Sequence, residues 1–177
     1  MTVVDTSSLR ELVRDIPDWP QPGIIFRDIT PLLAAPDAFA ATVDALAAPF
    51  ADEPIDKVLG IEARGFVFAA PVAYRRGAGF VPVRKAGKLP WELEREEYSL
   101  EYGTDLLEVH RDAVLPGERV LIVDDVIATG GTAAAAARLV ERLGGTVAGL
   151  AFLIELVPLA GRALLDGRRV HAVLTYE

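Results

Sequence analysis

One stretch constrains the fold more than any other: Val120 to Thr132, which reads V-L-I-V-D-D-V-I-A-T-G-G-T. Val120 to Val123 is a short apolar run after the turn residues Pro116 and Gly117, the pattern of a strand buried on both faces of a parallel sheet. Asp124 and Asp125 are expected at the carboxyl end of that strand. Ala128 to Thr132 then leads into the alanine-rich segment Ala133 to Leu143, a strong helix former. A glycine-rich loop between strand and helix can aim several backbone N–H groups at one anion, and the helix adds its positive end. An ordinary strand-to-helix turn, in which Thr132 only caps the helix, also fits the loop alone. The adjacent carboxylates fit that turn less well, because negative charge beside an anion site requires a ligand that also needs hydrogen-bond acceptors. A sugar with vicinal hydroxyls is such a ligand.

The chain has 177 residues, the size of one domain, and can bury roughly two thirds of its unfolded surface. Half of it is hydrophobic, yet no apolar run approaches the about 18 residues of a membrane span. The polar, acidic N-terminus has no secretory pattern, so a soluble cytoplasmic protein is expected. The absence of cysteine excludes disulfides and thiolate metal sites. A net charge of -8 argues against a nucleic-acid partner and makes local basic clusters purposeful, above all Arg84, Lys85 and Lys88.

Read in order, Ser8-Leu9-Arg10-Glu11 matches a capping box, and Leu9, Leu12, Val13 and Ile16 share a helical face, which predicts a helix ending before Pro17. Pro17, Pro20, Pro22 and Gly23 force an extended, irregular path into Ile24 to Asp28, where periodicity alone makes Phe26 a core residue. Pro36 to Phe50 has helical spacing, and Ile55 to Ile61 reads as a strand with Glu62-Ala63-Arg64-Gly65 at its carboxyl end. Open α/β sheets bind ligands at that end, so Arg64 is a site candidate. A helix over Phe66 to Arg76 and a strand over Phe80 to Arg84 follow. Lys85 to Leu100 has no clean period and reads as a long mobile loop, a lid or a plain surface loop. Glu101, taken alone, is a charge on a half-exposed ribbon ahead of a strand at Leu106 to Val109. Thr146 to Glu155 and Val170 to Tyr176 read as edge strands around a short helix at Ala160 to Leu165, and His110 and His171 have no metal-ligand spacing. The fold class is α/β, one domain with a mainly parallel twisted sheet flanked by helices.

The Val120 to Thr132 run resembles the 5-phosphoribosyl-1-pyrophosphate (PRPP) signature of the type I phosphoribosyltransferases. P-G-I-I-F-R-D-I-T-P at Pro22 to Pro31, G-I-E-A-R-G-F at Gly60 to Phe66, and R-K-A-G-K-L-P with Y-S-L-E-Y-G within Arg84 to Gly103 place the resemblance in the branch that takes adenine. It covers nearly the whole chain. The resemblance implies transfer of 5-phosphoribose from PRPP to adenine, giving AMP and pyrophosphate in purine salvage. It implies Asp124 and Asp125 on the ribose, with Ala128, Thr129, Gly130, Gly131 and Thr132 around the 5-phosphate. Arg64, Arg84, Lys85, Lys88 and Tyr102 would serve the pyrophosphate, and Ile25, Phe26, Arg27 and Val126 the adenine. Glu101 would move the purine proton. It further implies an N-terminal hood over about 1–35, a lid over about 85–103, and a cis peptide at Ala63-Arg64. Mg²⁺ would be held mainly by PRPP and water with no dedicated protein cage, and the assembly would be a homodimer, with Arg84 reaching a neighbour's site. One departure is Trp91-Glu92-Leu93, where relatives commonly have a Thr. Rival readings are a transferase for another purine base and a non-catalytic PRPP-sensing regulator.

Overall fold

The structure, a computed structural model, describes residues 6–99, 103–165 and 167–177. The chain packs as two compact units, Met1–Ala45 and Leu46–Glu177.

In the first unit, helix α1 (Thr6–Glu11) is followed by an antiparallel pair, β1 (Arg14–Pro17) with β2 (Ile25–Asp28). The helix predicted to reach Ile16 therefore stops five residues short. Leu9 and Val13 are buried, as the spacing requires, but six residues make barely two turns and carry little helical stability of their own. The strand pairing wins from Arg14 onward. It places Arg14 opposite Asp28 and Asp15 opposite Arg27, and both couples form ion pairs. The path into Phe26 is thus a regular hairpin arm instead of an irregular one. Its long turn has a cis Trp19–Pro20 bond and a hydrogen bond from Gly23 N to Asp18 Oδ1 of 2.8 Å. Asp28 accepts from both the N–H and the hydroxyl of Thr30, at the start of the short helix α2 (Thr30–Ala34). Helix α3 (Pro36–Ala47) leads into the second unit.

The second unit is a seven-stranded sheet. Strands β3 (Lys57–Ile61), β4 (Gly79–Lys85), β5 (Leu93–Ser99), β6 (Thr104–His110), β7 (Arg119–Ile127), β8 (Thr146–Leu156) and β9 (Val170–Tyr176) lie in the order β5-β6-β4-β3-β7-β8-β9. The run β4-β3-β7-β8-β9 is parallel, and β6 is antiparallel to both its neighbours. Parallel strands need crossover helices that cover both faces. Helix α4 (Gly65–Arg76) packs on β3, β4 and β7, and α5 (Gly131–Arg142) on β5 to β8. Alternate residues serve the two layers. Leu59, Ile61, Val120 and Ile122 join the core under α5, while Gly60 faces Ala69 of α4. Ala133 to Ala137 are all buried, so the alanine run that favours a helix also lets that helix approach the sheet closely.

Two readings of the sequence need correction. Strand β8 is interior, not an edge; only β9 ends that side of the sheet. The segment 85–103 is not one long irregular loop, because β5 occupies Leu93–Ser99 and pairs with β6 along its whole length. Its period of two is carried by carboxylates: Glu94 and Glu96 both pair with Arg142, and Glu96 also with Arg138, on α5. On the other face Arg95 meets its cross-strand neighbour, the buried Glu108, at 2.9 Å. An apolar-periodicity reading cannot see such a strand.

A Cβ on Gly60 would lie 2.7 Å from Ala69 Cβ and 3.0 Å from the Phe80 ring. Gly60→Val should therefore lower the folding stability by about 1–3 kcal/mol or more through overpacking between β3 and α4. A urea midpoint unchanged from the parent's would contradict the close packing of these two elements.

Candidate active site

The parallel strands end together, and the site is built on those ends. Strand β7 runs further than the sequence implied, so that Asp124 and Asp125 lie within it. Its pairing with β3 stops at Val123, whereas its pairing with β8 continues to Ile127. The carboxylates thus sit where one neighbouring strand has left, beside the turn Glu62-Ala63-Arg64. A cavity of about 350 Å³ opens there, lined by that turn, Lys85, Tyr98, Asp105, the acidic pair and the 126–130 loop with Thr132.

Asp125 is 5% exposed, and Arg64 Nε lies 3.0 Å from its Oδ2. The alignment is not that of a hydrogen bond, and Oδ2 has no hydrogen-bond partner among the described residues. It is a buried acceptor on a residue that lines the cavity. Asp124 accepts from Asp125 N–H at 2.9 Å and approaches the start of α4 so closely that a Cβ on Gly65 would be 2.7 Å from its Oδ1. Burial pushes both carboxyls above the ordinary aspartate range. For Asp124 the charge of Asp125 adds to that push, and for Asp125 the guanidinium of Arg64 opposes it.

Across the cavity, Gly130 takes a left-handed φ of +83° and starts α5, with no side-chain cap on the helix. Only glycine adopts that φ without cost.

The predicted cationic group is only partly gathered. Arg64 and Lys85 line the cavity; Arg84 and Lys88 meet instead at Glu62. That carboxylate accepts from Arg84 Nε at 3.2 Å, from Lys85 N–H at 2.9 Å and from Lys88 Nζ. Burial pushes the Glu62 carboxyl up, but these three donors outweigh it and hold it below its ordinary range. Lys85 Nζ pairs with Asp105 at 3.0 Å, and Asp105 also accepts from Tyr98 at 3.2 Å. The hydrogen bond from Lys85 holds the Asp105 carboxyl low and raises the Lys85 ammonium. The non-proline cis peptide is Glu62–Ala63, one bond earlier than the expected Ala63-Arg64.

Glu62, Tyr98 and Asp105 were assigned no role from the sequence. The signal for Glu62 was present, since a carboxylate between two cationic segments is what balances them. Val126 lines the cavity, and Ile25, Phe26 and Arg27 lie on β2 in the first unit. Phe26 is half-buried, with Trp19 edge-on at 4.4 Å between ring centroids. Glu101 and Tyr102 lie outside the described residues. Among those that are described, no cluster of His, Cys, Asp or Glu could hold a metal by itself.

The profile of the phosphoribosyl transferase domain matches residues 31–164. The chain is 60% identical over 172 residues to the adenine phosphoribosyltransferase of Thermobifida fusca, covering 97% of this chain and 98% of that protein. A crystal structure of adenine phosphoribosyltransferase from Rhodothermus marinus superposes with a TM-score of 0.93 at 54% identity, over 97% of this chain and 98% of that one. The Saccharomyces cerevisiae enzyme, in complex with adenine and an imino-altritol bisphosphate, gives 0.91 at 42%, over 96% and 98%.

The raised carboxyls make stability and binding respond in opposite directions. A carboxyl whose folded pKa lies above its unfolded value contributes stability that is complete in acid and is lost as pH rises through the folded pKa. Asp124→Asn should therefore unfold at higher urea than the parent at pH 7, with the gap closing as pH falls toward 3.8, the ordinary aspartate value. The same variant should lose about 10- to 100-fold in affinity for a sugar that hydrogen-bonds to the carboxylate. Equal midpoints at pH 7 would contradict the burial cost.

Proposed function

The chain belongs to the phosphoribosyltransferase family, and we infer from that premise that it transfers the 5-phosphoribosyl group of PRPP to adenine, giving AMP and pyrophosphate. The observation that supports the reading is that the buried Asp125, one of whose oxygens has no hydrogen-bond partner among the described residues, lines the same cavity as the glycine–threonine loop. A phosphorylated sugar asks for both: acceptors for its hydroxyls and N–H donors for its phosphate.

The bond from ribose C1 to the pyrophosphate oxygen breaks while a bond from C1 to the purine nitrogen forms. Positive charge builds on the sugar ring, and negative charge leaves with pyrophosphate. The protein must align the two reactants and hold the departing charge. Asp124 and Asp125 would fix the ribose hydroxyls, and Ala128 to Thr132 the 5-phosphate. Arg64, Lys85, Lys88 and Arg84 would meet the pyrophosphate, Tyr102 would organise the segment that closes over it, and Glu101 would take the proton from the purine nitrogen. Ile25, Phe26, Arg27 and Val126 would hold the base, the ring by stacking and the edge through backbone groups. Mg²⁺ would neutralise leaving-group charge. It is a hard cation that keeps several waters, and it would be held mainly by PRPP oxygens and water, with no dedicated protein cage.

A homodimer is part of the proposal, as is a cytoplasmic location for a chain without cysteine. No helix among the described residues is long and apolar enough to cross a membrane. Transfer to another purine base is the nearest rival, and the likeness to adenine enzymes along nearly the whole chain weighs against it.

Product formation with PRPP, Mg²⁺ and each purine base in turn is the direct test. Adenine presents an exocyclic donor and an N1 acceptor, and hypoxanthine reverses both. A base site built on such hydrogen bonds discriminates by about 10⁴-fold or more. Comparable turnover of the two bases would refute adenine as the substrate. Separately, Glu101→Gln keeps size and an acceptor but cannot take a proton, so kcat should fall about 10²- to 10⁴-fold. PRPP affinity should stay near that of the parent. An unchanged kcat with chemistry rate-limiting would assign the proton to another group.

A further inference from the structure

The turn after β8 touches the phosphate loop at a distance that only glycine allows. A Cβ built on Gly130 would lie 2.2 Å from the carbonyl oxygen of Gly161, and one built on Gly161 would lie 2.2 Å from that of Ala128 and 3.0 Å from Gly130 N. Two backbones are therefore in direct contact, with the Ile127 side chain packed beside them, its Cγ1 2.9 Å from the same Cβ position on Gly161. Such contact fixes a loop only if the second backbone is itself held, and here it is. Arg162 forks onto Glu155, with Nε to Oε1 and Nη2 to Oε2 both at 2.6 Å, and its Nη1 donates to Val170 O at 2.9 Å. Glu155 is 8% exposed and stands opposite Ile127 in the β7–β8 ladder, level with the last strand residue before the loop. The next anchor is Leu165, fully buried in the core under α5.

A two-point guanidinium–carboxylate fork fixes orientation as well as distance. From Glu155 the fork places Arg162, Arg162 places the carbonyl of Gly161, and that carbonyl limits where residues 128–130 can lie. We propose that the Gly161–Arg162 turn, clamped onto Glu155, is a buttress that sets the shape of the 5-phosphate loop and makes Arg162 and Glu155 positioning residues for PRPP. The proposal rests on reading residues 128–132 as the 5-phosphate loop. Neither residue touches the reacting atoms.

The test is titration of ribose 5-phosphate by calorimetry, with steady-state kinetics in PRPP, on Arg162→Gln, Arg162→Lys and Gly161→Ala. Arg162→Gln cannot fork, and a loop displaced by ~1 Å should bind ribose 5-phosphate and PRPP about 10- to 100-fold more weakly. Because the loop is held rigid in both ground and transition states, kcat at saturating PRPP should change less than about threefold, and the KM for adenine should stay as it was. Arg162→Lys, with one contact in place of two, should fall between parent and Arg162→Gln. Arg119→Ala breaks a comparable pair with Glu53, 2.6 Å in length and at the amino end of β7, away from the loop, and should leave all constants unchanged. If Gly161→Ala does not fold, the two Arg162 variants decide.

Folded Arg162→Gln with parental ribose 5-phosphate affinity overturns the buttress. So does a fall in kcat and a rise in both KM values together, the mark of general destabilisation. Thr132→Val, which removes a hydroxyl of the loop itself, separates this proposal from the reading beneath it. Weak ribose 5-phosphate binding by Thr132→Val beside normal binding by Arg162→Gln would sink only the buttress. Normal binding by both would sink the phosphate-loop reading as well.

Discussion

Placing two carboxylates on a strand that is buried on both faces is the constraint to which the rest of the site responds. Desolvation of an ionised carboxylate is costly unless it is paired and hydrogen-bonded. Strand β7 carries Asp124 and Asp125 just past the point where β3 stops pairing with it, so the cost is met by an opening instead of by a core. The start of α4, the Arg64 side chain and the 128–132 loop are gathered around that opening. One Asp125 oxygen is still left without a hydrogen bond among the described residues. A stability-optimised protein would neutralise such a group; a binding protein keeps it, because unmet acceptors are what select a polyhydroxylated ligand.

The parallel framework was legible because its signals are local. The apolar run at Val120 to Val123, the glycine–threonine loop and the alanine helix each state their own conformation, and the proposed ribose and phosphate contacts rest on them by resemblance. What was not legible depends on pairing across distance. Arg14 to Pro17 has the spacing of a helix and forms a strand because Ile25 to Asp28 is available to pair with it. Leu93 to Ser99 alternates in charge, and only the arginines of α5, more than forty residues later, reveal which face is inward. The carboxylate end of β3 was read for its arginine, whereas Glu62 is the residue on which three donors converge.

That convergence bears on how a chain with a net charge of -8 can attract a polyanion. The cations assigned to pyrophosphate are already paired: Arg84 and Lys88 with Glu62, Lys85 with Asp105, Arg64 with Asp125. Pairing restrains long side chains whose ordering would otherwise weigh against binding. It also sets a threshold, since an incoming anion must bind the cations better than a carboxylate does. A single phosphate meets that threshold poorly, while a pyrophosphate with its higher charge and several oxygens can replace more than one carboxylate contact at once. If these cations meet pyrophosphate as proposed, the carboxylates beside them would select for the number and spacing of phosphates as well as for charge.

The same logic of fixing one group through another extends away from the cavity. Gly161 and Arg162 lie about thirty residues beyond the loop that they are proposed to shape, in a stretch whose sequence reads only as a short helix between strands. Their contact with the loop is backbone to backbone, which explains why no pattern of side-chain chemistry announces it. A loop that binds an anion through its own N–H groups cannot also be held by hydrogen bonds to those groups. It must be held by shape. In the proposed arrangement, close glycine-to-glycine contact, anchored at a distance by a forked ion pair, would supply that shape and leave the N–H donors available to a phosphate.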